Sequence, residues 1–270
     1  MRRLVTKFRL VFALAAVALV LLLGGCKDGD DGKDKTEVED AVRSLIEAYT
    51  DKDSDAFLAA LTDKGLAELF GVSEEELADF KAQLPQFIGE DPPVIRSFAN
   101  TEVSGETATT ELESEGTGTI EIDRFHLVRV EDAWKVDGFE GFVVSPDIPD
   151  GYTVIDLPVQ EFAFGLDPTQ VETGKVAFKV RNVGQQPHEV PLLRLAEGVI
   201  LEEALQSEGQ PEGIEFVGRI EIQPGKESNM VLLNDLTPGR YALVCFFPDT
   251  EDPEGTPHAF KGMQMEFELE

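Results

Sequence analysis

Basic residues, cysteine, histidine and tryptophan are all scarce in this chain of 270 residues. Only 23 Lys and Arg stand against 53 Asp and Glu, a formal charge of −30, and that imbalance excludes ordinary nucleic-acid binding, which needs clustered cations. Two cysteines, Cys26 and Cys245, exclude a scaffold stapled by several disulfides. The three histidines are His126, His188 and His258, so any imidazole chemistry has few places to sit. No G-x-S-x-G, P-loop or H-E-x-x-H pattern occurs; a hydrolase reading therefore has nothing to rest on, and an enzyme label is unsupported. With 42% hydrophobic residues the chain can bury a substantial interior, and its length points to two domains.

What is present begins at the N-terminus. Arg2, Arg3, Lys7 and Arg9 precede an apolar run of 14 residues, Leu10 to Leu23, shorter than the roughly 20 needed to span a bilayer as a helix. Residues 1–25 read as a signal peptide. Leu23-Gly24-Gly25-Cys26 resembles the bacterial lipobox, which implies lipidation of Cys26 and a chain anchored by lipid to the extracytoplasmic face of the cell membrane. Residues 26–35, acidic and glycine-bearing, are expected to form a solvated tether. Cys245 is then the one remaining thiol in an oxidising compartment, where it is a buried small hydrophobe, an intermolecular link or a metal ligand.

From Thr36 onward Val38, Val42, Leu45, Ile46 and Tyr49 follow the stripe of an amphipathic helix, opened by a capping-box spacing at Thr36 and Glu39. A short helix after Ser54 and another from a second capping box, Ser73 to Glu76, are expected before the Pro92-Pro93 break. The period then shifts to two, and strands are expected over 94–103, 106–113, 117–130 and 134–142. Helices followed by a strand meander describe an α+β cone, with helices on a curved antiparallel sheet. Residues 36–146, above all the closing hairpin around Trp134, Val136, Gly138 and Phe139, resemble the nuclear transport factor 2-like fold. His126 shares a strand face with Ile120, Ile122, Arg124 and Val128 and is a possible pocket residue; it has no second acid or base at recognisable spacing.

Residues 147–151 form a Pro/Gly/Asp linker. Beyond it, over 152–270, six short strands are expected at 154–164, 175–181, 217–222, 228–233, 240–247 and 262–269, with a helical insertion at 199–207. This pattern describes an all-β Greek-key sandwich, in which Tyr241 suits a tyrosine corner. His188, Cys245, His258 and Met263 follow one another along it. The order, with Met263 five positions after His258, resembles the cupredoxin (blue copper) family. That resemblance implies one copper held by two imidazoles and a thiolate with a weak axial thioether, an extracytoplasmic copper-binding role in electron transfer or copper handling, and a redox partner protein. The chain departs from the family in the 12 residues between Cys245 and His258, where only a few are usual. Zinc is also chemically possible, Met230 and Met265 are alternative thioethers, and Cys245 alternates with Tyr241 and Leu243 as a core residue would. The competing expectation is a metal-free, two-domain lipoprotein that binds a ligand or partner.

Overall fold

The computed structural model describes residues 31–73, 75–89, 92–206 and 212–270. The signal peptide over 1–25 and the lipidation expected at Cys26 lie outside the described residues. The first half carries helices α1 (Asp31–Thr50), α2 (Ser54–Ala59), α3 (Asp63–Phe70) and α4 (Leu77–Gln83), followed by strands β1 (Val94–Ser104), β2 (Thr107–Gly116), β3 (Thr119–Val130) and β4 (Ala133–Glu140). The strands form one antiparallel sheet in the order β1-β2-β3-β4.

Two expectations for the helices are corrected. The tether assigned to 26–35 is helical from Asp31, because Thr36 lies inside α1 and its hydroxyl donates back to the Gly32 carbonyl at 3.0 Å instead of capping. Glu39, the other half of that expected box, accepts from Thr101 Oγ1 on β1 at 2.7 Å. Helix α3 has no counterpart among the expected elements, although its signals are in the chain: Thr62 accepts from the Gly65 amide as N-cap, and Gly71 closes the C-terminus at φ 62°. Val38, Val42, Leu45 and Phe57 from the helices bury against Ala108, Leu112, Phe125 and Leu127 on one sheet face. Each such side chain stabilises the half by about 1.5–3 kcal/mol, so a polar residue at Leu127 would break it.

The second half comprises β5 (Thr153–Gln160), β6 (Ala163–Phe164), β7 (Val176–Asn182), β8 (His188–Glu189), β9 (Leu192–Leu195), α5 (Leu201–Gln206), β10 (Ile214–Gly218), β11 (Glu221–Ile222), β12 (Glu227–Val231), β13 (Gly239–Val244) and β14 (Gln264–Leu269). Two four-stranded sheets, β12-β7-β5-β6 and β10-β9-β13-β14, enclose a common interior of Leu157, Phe178, Leu192, Tyr241 and Leu243. The strand expected at 154–164 is really a tight return, since Val159 pairs with Phe164 and the chain folds back at Glu161 and Phe162. Tyr241 donates its hydroxyl to the Thr237 carbonyl at 2.8 Å and accepts from the Thr237 amide, which is the corner expected of it. No helix among the described residues is long and apolar enough to cross a membrane.

The halves are joined by more than the linker. At the β2–β3 turn, Gly118 (φ 79°) accepts from the Leu233 amide at 2.9 Å, Thr119 bridges to Leu232, and the Thr119 hydroxyl donates to the Arg219 carbonyl. Ile120, Ala177 and Val231 form a small shared core beside them. Nearby, Arg219 is paired with Glu221 and Glu189 and lies in the field of Glu121. Burial pushes the carboxyls up: Glu221 to about 8 and Asp123 to about 6, with Glu121 and Glu189 raised as well. One guanidinium is set against Glu221, Glu189 and Glu121, and burial favours the neutral form of each carboxyl.

Candidate metal centre

Three chain segments deliver three donors to one end of the sandwich. His188 stands on β8 after a loop shaped by Asn182, whose side-chain amide donates to the Gln186 and Ile222 carbonyls and whose oxygen accepts from the Gly184 amide. Cys245 follows β13 directly, pointing into the same interior as Tyr241 and Leu243. His258 opens a short 3-10 turn, His258–Lys261, and its amide donates to the Phe247 carbonyl at 2.8 Å. Met263 lies where the chain re-enters β14: its amide donates to the His258 carbonyl, and its own carbonyl accepts from the Cys245 amide. These main-chain bonds tie the three C-terminal residues into one unit, and all four side chains are fully buried.

The excursion between Cys245 and His258 does not pull the site apart. Pro248 bridges to Pro257, the Asp249 amide donates to the Thr256 carbonyl, and Lys261 pairs with both Asp249 and Asp252. The loop leaves at Phe247 and returns at His258 as a closed hairpin, which is how so long an insertion is carried at little cost to the ends.

Donor geometry is compact. His188 Nδ1 lies 3.1 Å from His258 Nδ1, and Cys245 Sγ lies 3.5 Å from His258 Nδ1 and 3.9 Å from His188 Nδ1. A circle through three atoms at those separations has a radius of about 2 Å, the length of a metal bond to imidazole nitrogen. The atoms therefore surround a point that suits an ion. The protonation pattern agrees. Gln186 Oε1 already accepts from the Thr250 amide while its Nε2 donates to Asp249, so His258 Nε2, 3.1 Å from that oxygen, carries the hydrogen. Its Nδ1 then offers a lone pair. Burial, reinforced by the nearby His258, pushes His188 down to about 4, and burial likewise lowers His258, which leaves both rings neutral at pH 7. Burial, with the Glu189 charge, pushes the Cys245 thiol up to about 12, so a cation is needed to displace its proton.

No family model matches this chain, and no curated protein matches it. Among solved structures, dithionite-reduced auracyanin from Roseiflexus castenholzii is similar over 44% of this chain and 97% of its own, with 21% identity and a TM-score of 0.31. An NTF2-like protein of unknown function from Shewanella baltica is similar over 42% of this chain and 94% of its own, with 17% identity and a TM-score of 0.31. A putative aromatic ring hydroxylase from Novosphingobium aromaticivorans has 18% identity over 42% of this chain and 90% of its own, at a TM-score of 0.32. Likeness at that level carries no argument about chemistry; the donors have to carry it.

His126 belongs to a different setting. Phe125 and Leu127 on either side of it face the helices, so His126 faces away from them, half-exposed, with Nε2 2.7 Å from Glu140 Oε1. That face of the strand is the outer one, where the ring is matched by the Glu140 carboxylate. Residues that the order His, Cys, His, Met does not reveal are Gln186, Asp249 and Glu161. Their partners are far away in the chain, and the one local signal is the Asn182-to-Pro187 turn that places Gln186.

Proposed function

We propose that this chain is a copper-binding protein that passes single electrons: His188, Cys245 and His258 would hold the ion, with Met263 as the thioether that would complete the set. The observation that carries the reading is the convergence of two imidazole Nδ1 atoms and a thiol on one buried point. A soft cation is the one partner that all three atoms can share at once. A bound copper supplies a one-electron couple. The chain's own residues hold its ligands: Gln186 fixes the His258 ring, the turn to Met263 fixes Cys245, and the sandwich interior excludes water. The donor set of two imidazoles, one thiolate and a weak thioether favours copper over zinc, which takes four comparable ligands. The first half, its helix-facing side filled by packed side chains, serves to hold and present the second.

A copper titration of the full chain tests this, read by visible absorption and by metal content after desalting. One retained copper with a thiolate charge-transfer band, lost in Cys245→Ser, supports the reading. No retained copper, together with a thiol that reacts only on unfolding, overturns it in favour of a metal-free binding lipoprotein. In the same proposal the N-terminal segment is cleaved before Cys26 and lipid anchors the protein on the extracytoplasmic side; the mass of the native N-terminal peptide checks that.

A further inference from the structure

One polar atom of the centre has no hydrogen-bond partner among the described residues. His188 Nε2 is buried, turned away from the other donors, and Glu161 Oε1 lies 3.6 Å from it. Glu161 sits at the return between β5 and β6, and its carboxylate does not swing freely: the Gln185 and Gln186 amides donate to Oε1 at 2.6 and 2.5 Å. A Cβ on Gly184 would fall 2.6 Å from either carboxylate oxygen, so the loop before His188 is moulded around this one side chain. Two main-chain N–H donors on one oxygen are the surroundings that suit a carboxylate anion.

A lone pair facing an anion is repelled, whereas an N–H facing it is attracted. We infer that Glu161 is the positioning residue of this centre: its carboxylate holds His188 in the Nε2–H tautomer, which aims the Nδ1 lone pair at the shared point, and its negative charge favours the oxidised, more positive state of a bound copper. The second half of this inference rests on the copper reading above. The first does not. A carboxylate behind a ligating imidazole orients the ring and raises its basicity, and losing such a partner typically changes metal affinity by 10- to 100-fold. Here the same loop that bears Gln186 behind His258 also receives Glu161 behind His188, so one turn sets both rings.

Glu161→Gln and Glu161→Ala separate orientation from charge. Glutamine keeps a carbonyl oxygen for the two amides and for the Nε2–H, so the fold and the tautomer survive while the charge is lost. Copper(I) and copper(II) affinities of the full chain, measured by competition with chelators, should then shift in ratio by roughly tenfold towards copper(I), equivalent to about 59 mV in a one-electron potential. Glu172→Gln, which removes an exposed acid elsewhere, should leave that ratio unchanged. In Glu161→Ala, nitrogen NMR of the metal-free chain should show His188 losing its single Nε2–H tautomer. An unchanged affinity ratio in Glu161→Gln overturns the electrostatic role, and an unchanged tautomer in Glu161→Ala overturns the orienting one. If the wild-type chain retains no copper, the reading of the preceding section fails and takes the electrostatic half with it. The tautomer measurement then decides the orienting half alone.

Discussion

Two buried polar clusters lie in the second half of this molecule, connected through adjacent residues His188 and Glu189, and they are satisfied in opposite ways. Around Arg219 the countercharge is built in, since the guanidinium meets Glu189 and Glu221, and burial raises both carboxyls. Around Cys245 nothing among the described residues completes the set: two imidazoles and a thiol face one another. Both are largely buried, the ligands completely and the Arg219 side chain to all but 15%. The comparison teaches that burial alone does not mark a functional cluster; what marks it is whether the chain supplies the missing charge itself.

The comparison can be broken most forcefully at the metal centre. With copper at about 1,000 times its dissociation constant, the wild-type chain should gain about 4 kcal/mol of stability, and Cys245→Ser should gain almost none; chemical denaturation with and without metal measures this. Arg219→Met removes the one cation of the other cluster and should destabilise the chain by about 3 kcal/mol whether metal is present or not. If the Arg219 variant instead lost stability only with copper bound, the two clusters would not be independent.

A pH series sharpens the contrast. Glu221 is raised from 4.5 to about 8 in the folded chain. It therefore holds its proton more tightly folded than unfolded. Its contribution is whole below about pH 4.5 and is lost as pH rises through about 8, with a slope of up to about 1.4 kcal/mol per pH unit. Glu221→Gln should flatten that decline, as followed by denaturation midpoints between pH 5 and 9. The smallest effect is expected at the exposed pair: His126→Ala should alter stability by about 0.5 kcal/mol and copper content not at all.

Residue types and order make much of this centre legible. His188, Cys245, His258 and Met263 stand out because histidine and cysteine are so rare in the chain, and Tyr241 because its corner depends only on a turn four residues away. Elements defined by partners distant in sequence are not legible. Strand β8 is two residues long and exists only because Glu189 and His188 pair with Glu221 and Ile222. Glu161 is an ordinary surface acid by every local criterion until the return at β5–β6 sets it behind His188, 27 positions later. At the other end of the chain, α1 starts before its apparent cap because a helix that already has a packed stripe from Val38 onward extends through any following or preceding residues that tolerate it.

The turn at Gly118 bears on how this chain can be cut. Its φ of 79° and the 2.1 Å between a would-be Cβ and the Val217 carbonyl leave no room for any other residue. Through it the first half lends Thr119 and Ile120 to the second, whose Ala177 and Val231 they cover. A fragment beginning near Tyr152 would keep every proposed ligand yet surrender that covering. Its freshly bared apolar patch would invite self-association. The two halves are thus not interchangeable cassettes: in any transplant or truncation the β2–β3 turn has to travel with the sandwich, or its footprint must be redesigned as surface.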